Sequence, residues 1–459
     1  MNHGGFCEEC FKKQCLIDQQ QEEIAALRAA LRRQERKAQE GFFGSATPSA
    51  KKPVKETSLA ENQKKRGGGK PGHVGHGRKS VGAQQADHVV EIPAPVGDAC
   101  PHCQGPLIAF KPRQRTVLES RPLRAESTLL HLGRKMCPKC RVTFAAKPPS
   151  VMPKAKYGNQ LVSHVAVMNY AQGIPLGRLE EMLGLPYSAM VQIEHRLARL
   201  LAGIPPRLVE QYRQAPVKHA DETSWRTDGA NGYAWLFATD RLSIFEFRDT
   251  RSASVPAAIL GKKHLPGTLV TDRYAGYNKV PCAQQYCYAH LHRKLMDLGK
   301  EFPDNQEVRA FVDTVAPLLA AAMALRGQPI PDAVYYQQAA ALAKQIRQAM
   351  NAEAQHLGIR EYQGVFRDKR RKLYRWVKDR RIPPDNNLAE RDLRPTVIAR
   401  KVSFGSQSEA GAKSRGILMT VLISLKKQHP DDYQQRFKTA LDHLAANPTA
   451  DPYALLFIP

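Results

Sequence analysis

The sequence predicts an α+β, multi-domain chain, and three observations carry that expectation. Its 459 residues correspond to about three domains at roughly 150 residues each. Helical patterning before residue 212 gives way to strand patterning after it, instead of alternating throughout. Two Cys-x2-Cys pairs bracket short alternating segments, as in a small metal-stapled module. With 42% hydrophobic and 24% charged residues, whole-chain disorder is excluded. The formal charge of +26 repels itself unless a polyanion neutralises it, and nucleic acid is the first candidate. No apolar run reaches the roughly 18 residues of a membrane span. The longest, Val315 to Leu325, contains Pro317. Met1 to Cys10 carries acidic residues and no apolar core, so a signal peptide is not expected. The expected location is therefore cytoplasmic, and nine cysteines there point to thiols and metal, not disulfides.

Residues 1–40 place Ile17, Ile24, Leu27 and Leu31 at heptad-compatible spacing. They read as a short coiled coil or as one amphipathic helix. Cys7, Cys10 and Cys15 precede it. Residues 41–90 are a basic linker by composition. Lys64, Lys65, Arg66, Lys70, Arg78 and Lys79 lie among glycines, as a flexible arm following a phosphate backbone would, although a solvated tether has the same composition. Residues 91–150 hold Cys100 and Cys103, then Cys137 and Cys140, with thirty-three residues between the pairs. Two such turns complete a tetrahedral site for one structural Zn²⁺ in a zinc ribbon. Residues 151–212 pattern as two short helices broken by Gly173-Ile174-Pro175 and a third opened by Gly184-Leu185-Pro186. A helix-turn-helix and a plain three-helix bundle fit that pattern equally.

Residues 213–405 carry the chemistry. Strands are expected before Asp221, over Gly232–Thr239 and Leu242–Phe247, over Gly267–Asp272, and over Gln284–Tyr288. Helices fill 253–262 and 289–300. Three strands, a helix, two further strands and a helix approach the order of an RNase H-like fold. In that order the first and fourth strands are neighbours, so Asp221 and Asp272 converge. Paired carboxylates suit two Mg²⁺ ions serving in-line displacement at phosphorus. A third carboxylate, Glu390, lies one turn into a helix that Asp385 or Asn386 caps, among Arg391, Arg394, Arg400 and Lys401. Asp392 is two positions on, about 200° round the helix, so it cannot share Glu390's face. A helical insertion occupies about 301–365. The basic run Arg367–Arg381, including Arg370, Arg371 and Lys372, also holds Tyr374 and Trp376, which either stack on bases or pack. Residues 406–459 form a helical tail.

Taken in order, these stretches resemble bacterial transposases of the insertion-sequence-66 type, the large subunit of that element. The matching segments are Gly72-His73-Val74-Gly75-His76-Gly77-Arg78, the paired Cys-x2-Cys, His219-Ala220-Asp221-Glu222-Thr223, Asp272-Arg273-Tyr274-Ala275-Gly276-Tyr277, Cys287-Tyr288-Ala289-His290 and Asn386-Asn387-Leu388-Ala389-Glu390-Arg391. They cover roughly residues 20 to 425. The tail, Ser424 to Tyr433, only approximates the family's. The resemblance implies an Asp-Asp-Glu set at Asp221, Asp272 and Glu390, and a Cys-x2-His signature at Cys287 and His290. From the residues, that last pair suits packing or hydrogen bonding near the site better than a second metal. The resemblance further implies double-stranded DNA as partner, both element ends and target. A homodimer or larger assembly on DNA follows, with small accessory proteins, nucleoid association and no membrane.

Overall fold

The structure is a computed structural model that describes residues 124–458 apart from 137 and 139–142, with four isolated positions before them. The chain comprises two units, Met1–Leu123 and Arg124–Pro459, and the second holds the sheet that carries the site. The N-terminal helix, the arm from Lys64 to Lys79, and the four cysteines expected to bind zinc lie outside the described residues. Strands Arg134–Met136 (β1) and Thr143–Ala145 (β2) pair antiparallel, with Lys135 opposite Phe144. Cys137 and Cys140 fall in the segment between them.

Helix Asn159–Ala166 (α1) runs on into a π-type turn over Val167–Ala171. The next helices are Leu176–Leu183 (α2), Tyr187–Leu201 (α3) and Ile204–Gln214 (α4). Gly184 ends α2 in the left-handed conformation at φ 64°, where a β-carbon is disfavoured. Met190, Ile193, Leu197 and Leu201 are buried at 3–4 residue spacing along α3, and that stripe packs against a helix of the core.

The central sheet has the order β5-β4-β3-β6-β7. Val217–Thr227 (β3), Ala230–Ala238 (β4) and Ser243–Arg248 (β5) form an antiparallel meander. A two-residue turn joins β3 to β4, with Asp228 at φ 51° and Gly229 at φ 72°. Positive φ at both central residues matches strand twist, hence Asp-Gly. After helix Ser254–Leu260 (α5), Thr268–Thr271 (β6) and Ala283–Tyr286 (β7) add on parallel to β3. All four β6 residues are buried, as the interior of a parallel sheet requires.

One expectation needs correcting. Asp221 does not end its strand; β3 runs eleven residues, to Thr227. β4 pairs along β3 from His219 to Thr227, whereas β6 pairs with it only from Val217 to His219. The strand ends on its parallel side alone, an edge that linear patterning does not distinguish.

Helix Tyr288–Glu301 (α6) leads into the insertion, built from Gln306–Leu325 (α7), Asp332–Asn351 (α8) and Leu357–Asp368 (α9). Tyr288, Tyr335, Tyr362, Phe366 and Trp376 form its core with the buried stripe of α7. α7 is twenty residues long, and an 18-residue window of it reaches a mean hydropathy of 1.6, so the expectation that no apolar stretch of that length exists is corrected. The cause is alanine content. Val308, Val312, Val315, Leu319 and Ala322 are buried on one face, while Arg309 and Asp313 stand exposed on another, the pattern of an amphipathic helix on a protein core.

Helices Asn387–Ser403 (α10), Glu409–Gln428 (α11), Tyr433–Ala446 (α12) and Pro452–Phe457 (α13) follow. α10 lies on β3 and β4, and α11 lies on β5 and packs against α3. β5 is an edge strand, and α11 satisfies its outward N–H groups: Ser243 N donates to Ser424 Oγ at 3.0 Å and Phe245 N to Thr420 Oγ1 at 2.9 Å. Residues past 405 thus close the sheet edge.

Candidate active site

The parallel pairing of β3 with β6 stops at His219 opposite Val270. Two residues further along each chain stand Asp221 and Asp272, side by side where the sheet opens. Backbone N–H groups orient both carboxylates. Glu222 N donates to Asp221 Oδ1 at 2.9 Å, and Tyr274 N to Asp272 Oδ1 at 2.8 Å. Burial pushes the Asp221 carboxyl well above its ordinary range, and the charges of Glu222, Asp272 and Glu390 push it further. Four acidic groups therefore share one small region.

Glu222 is the one with its own cation. Its side chain is only 2% exposed, and Arg251 Nη2 meets it at 2.6 Å. Tyr277 OH donates to its other oxygen at 2.6 Å. The Arg251 guanidinium also lies over the Tyr274 ring at 4.1 Å. Glu222 is thereby paired and held by its own partners.

Glu390 occupies the first turn of α10, which Asn386 ties to β3. Asn386 is fully buried. Its Nδ2 donates to Ala220 O at 2.9 Å, and its Oδ1 lies 2.8 Å from His219 Nδ1. Its own N donates to Cys287 Sγ at 3.1 Å. Of the two residues expected to cap α10, the side chain of Asp385 does so, its Oδ1 accepting from Asn387 N at 3.0 Å, while the Asn386 side chain does not. β3, not the helix, offers the Asn386 side chain its partners.

Cys287, His290 and Glu390 form a second constellation. One ligand atom from each lies within 4.8 Å of the others. His290 Nδ1 and Glu390 Oε1 are 3.8 Å apart, and both are buried without a hydrogen-bond partner. Burial pushes the Cys287 thiol up to about 12. Thiol, imidazole and carboxylate together suit a borderline cation such as Zn²⁺, whereas Asp221, Asp272 and Glu390 offer the hard oxygens that Mg²⁺ takes. The orphaned Glu390 Oε1 belongs to the Cys287–His290–Glu390 group, the one set of three such ligands within 4.8 Å of one another among the described residues.

The basic residues divide. Arg391, Arg394 and Lys401 are exposed along α10, and Arg370 and Arg371 on a 3-10 turn. Arg400 turns back onto β3, its Nη1 reaching Thr223 Oγ1 at 3.1 Å and Ser224 O at 2.6 Å. Lys372 Nζ donates to Tyr286 OH at 3.2 Å. Of the two aromatic residues in the basic run, Trp376 is fully buried and donates to Leu373 O. It packs and cannot stack on bases. Tyr374 is half-buried under Arg347. Asp392 faces away from Glu390, accepting from Ser243 Oγ at 2.8 Å and pairing with Lys427. Sequence reasoning passed over the Arg251–Glu222–Tyr277 network and the bridging role of Asn386. No spacing rule marks either, because each partner comes from a different element.

A family model described as "Transposase IS66 family" matches residues 154–414, which takes in the sheet, the insertion, α10 and the start of α11. A Sinorhizobium fredii protein named "Uncharacterized protein y4qI" is 26% identical over 330 residues, an alignment covering 63% of this chain. The match spans 60% of that protein's length.

Proposed function

The chain belongs to the IS66 transposase family, and from that premise we propose that it is the Mg²⁺-dependent transposase of a mobile element. It binds the terminal inverted repeats, hydrolyses the phosphodiester at each end, and joins the freed 3′-OH to target DNA. The observation that carries this reading is the meeting of Asp221 and Asp272 at the open end of the parallel pair, electrostatically coupled to Glu390 from α10.

Asp221, Asp272 and Glu390 would hold two Mg²⁺ ions, which supply activation of the attacking oxygen and stabilisation of the leaving one. The chain's own residues prepare that site. Rigid strand and helix backbones fix three carboxylates whose mutual repulsion favours cation capture. Arg251 cancels the charge of Glu222 and keeps it out of the donor set. Asn386 sets the distance between β3 and α10. His290 and Cys287 lie beside Glu390, one ligand atom from each within 4.8 Å of the others. Arg391, Arg394 and Lys401 meet the phosphate backbone. The module of Cys100, Cys103, Cys137 and Cys140 holds one structural Zn²⁺ and, with the basic arm and the helices up to residue 212, recognises the element ends. Two ends must be paired, so a dimer or larger assembly forms on DNA, aided by the element's small accessory proteins, at the bacterial nucleoid.

A strand-transfer assay tests this, with purified protein, Mg²⁺ and a labelled duplex from the DNA flanking the gene. Wild type should give joined product. Asp221→Ala and Asp272→Ala should lose it by at least about a thousandfold while binding the duplex normally. Cleavage without joining would make the protein a nuclease, and binding alone would make it a regulator. Unchanged joining in Asp272→Ala would remove the aspartate from the mechanism.

A further inference from the structure

We propose that Phe404 is a wedge that inserts into a base step of DNA lying along α10. The proposal rests on the transposase reading, since it needs DNA at this face. Phe404 is 75% exposed, the most exposed aromatic side chain among the described residues. Its backbone is left-handed, φ 59°, at the helix-terminating position usually given to glycine or asparagine. A bulky apolar residue there faces water from a disfavoured backbone, and such outliers concentrate at functional sites.

The turn that carries it is pinned from both sides. Phe404 N donates to Arg400 O at 2.9 Å. Ser406 N donates to Arg226 O and Asp228 N to Ser406 O, each at 2.9 Å. Trp225 Nε1 donates to Ser406 Oγ at 3.2 Å. Gly405 sits so close to β3 that a β-carbon would lie 2.2 Å from Arg226 O. The backbone under Phe404 therefore cannot swing the ring inward, and an aromatic already held outward loses little freedom on binding.

Its surroundings select the occupant. Asn387, Arg391, Arg394, Ile398, Lys401 and Val402 are all exposed, and their spacing puts them within about 100° of one helix face. Ile398 and Val402 give that face an exposed apolar strip flanked by the arginines and the lysine, and Phe404 stands at the C-terminal end of the same helix. An apolar wedge with basic neighbours is the arrangement of proteins that unstack a base step and grip the backbone beside it. A second copy of a chain carrying +26 would bring like charge to this face, whereas DNA brings the complement. Phe404 lies fourteen residues beyond Glu390, or about 21 Å along the helix. A duplex parallel to α10 meets it about six base pairs from the bond at Glu390.

The test places 2-aminopurine, whose fluorescence rises on unstacking, singly at each of the positions flanking the cleaved bond. Wild type, Phe404→Ala and Phe404→Trp are compared as full chains. Wild type should raise the signal at one step about six base pairs from the bond. Phe404→Ala should leave that step at the free-duplex level and bind roughly ten- to a hundredfold more weakly, with its melting temperature maintained. Phe404→Trp should restore both. The proposal is overturned if Phe404→Ala raises the same signal, if wild type binds the duplex and unstacks no step, or if the substitution changes only the mass of the free protein in sedimentation. Failure of wild type to bind any such duplex would overturn the transposase reading with it.

Discussion

Asn386 and Glu194 show how much a single buried polar group decides here. Asn386 uses Nδ2 on Ala220 O, so its Oδ1 is the acceptor facing His219, and His219 carries its proton on Nδ1. Burial holds His219 down to about 4, so it is neutral near pH 7. Glu194 is buried on α3, with Oε2 accepting from Tyr170 OH at 2.8 Å and Oε1 unpartnered. Burial pushes its carboxyl from 4.5 up to about 7, against the Tyr170 hydrogen bond and the Arg415 charge. The unfolded chain therefore ionises first as pH rises from 4.5 to 7, and stability falls across that window by about 3 kcal/mol from this group. Glu194→Gln should match wild type near pH 4.5 and exceed it by a few kcal/mol at pH 8. Urea midpoints at the two pH values check this, and parallel pH dependence in both proteins would refute it. Asp221, Asp272 and Glu390 were legible as candidates because carboxylates near expected strand and helix ends are a local signal. Glu194 was not, because only the packing of α11 against α3 makes its environment apolar.

The edge strand shows element-scale logic. β5 exposes N–H groups that a bare edge would offer to any passing strand. α11 covers it through Thr420 and Ser424, and Gly416 lets the helix approach, since a β-carbon there would sit 3.1 Å from Phe245 O. Thr420→Val keeps the shape and removes the acceptor. It should cost about 1–3 kcal/mol, the penalty for stranding a buried N–H, while Thr420→Ser should cost much less. Chemical denaturation of the two variants compares them directly. The strand order was readable from alternation and turn residues, and the helical insertion from its alanine- and leucine-rich composition. The length of β3 was not, because β4 extends it past the point where β6 leaves.

At the scale of the molecule, charge governs. The excess of +26 is spread over the arm, the basic run and the face of α10, so binding to duplex DNA should be dominated by counterion release. Raising salt from 50 to 200 mM should weaken binding by about a thousandfold or more, if six or more phosphates are contacted. The slope of log affinity against log salt measures that number. Arg391→Ala should lower the slope by about one, whereas Asp272→Ala should leave it unchanged. A flat slope would count against the whole electrostatic reading.

What the sequence determined by itself was the kind of chemistry and the order of elements. Charge, periodicity, turn residues and the stretches from Asp221 to Glu390 are properties of neighbours along the chain, and they identify a family with DNA as its object. Tertiary structure decided which groups share a space. Asp221 and Asp272 meet because two strands pair in parallel register. Asn386 serves β3 and not its own helix, and Trp376 is sealed in the insertion core. Phe404 points outward because Gly405 is pressed against Arg226. Each of these follows from contacts between residues far apart in sequence, and such contacts leave no periodic trace in the chain that makes them.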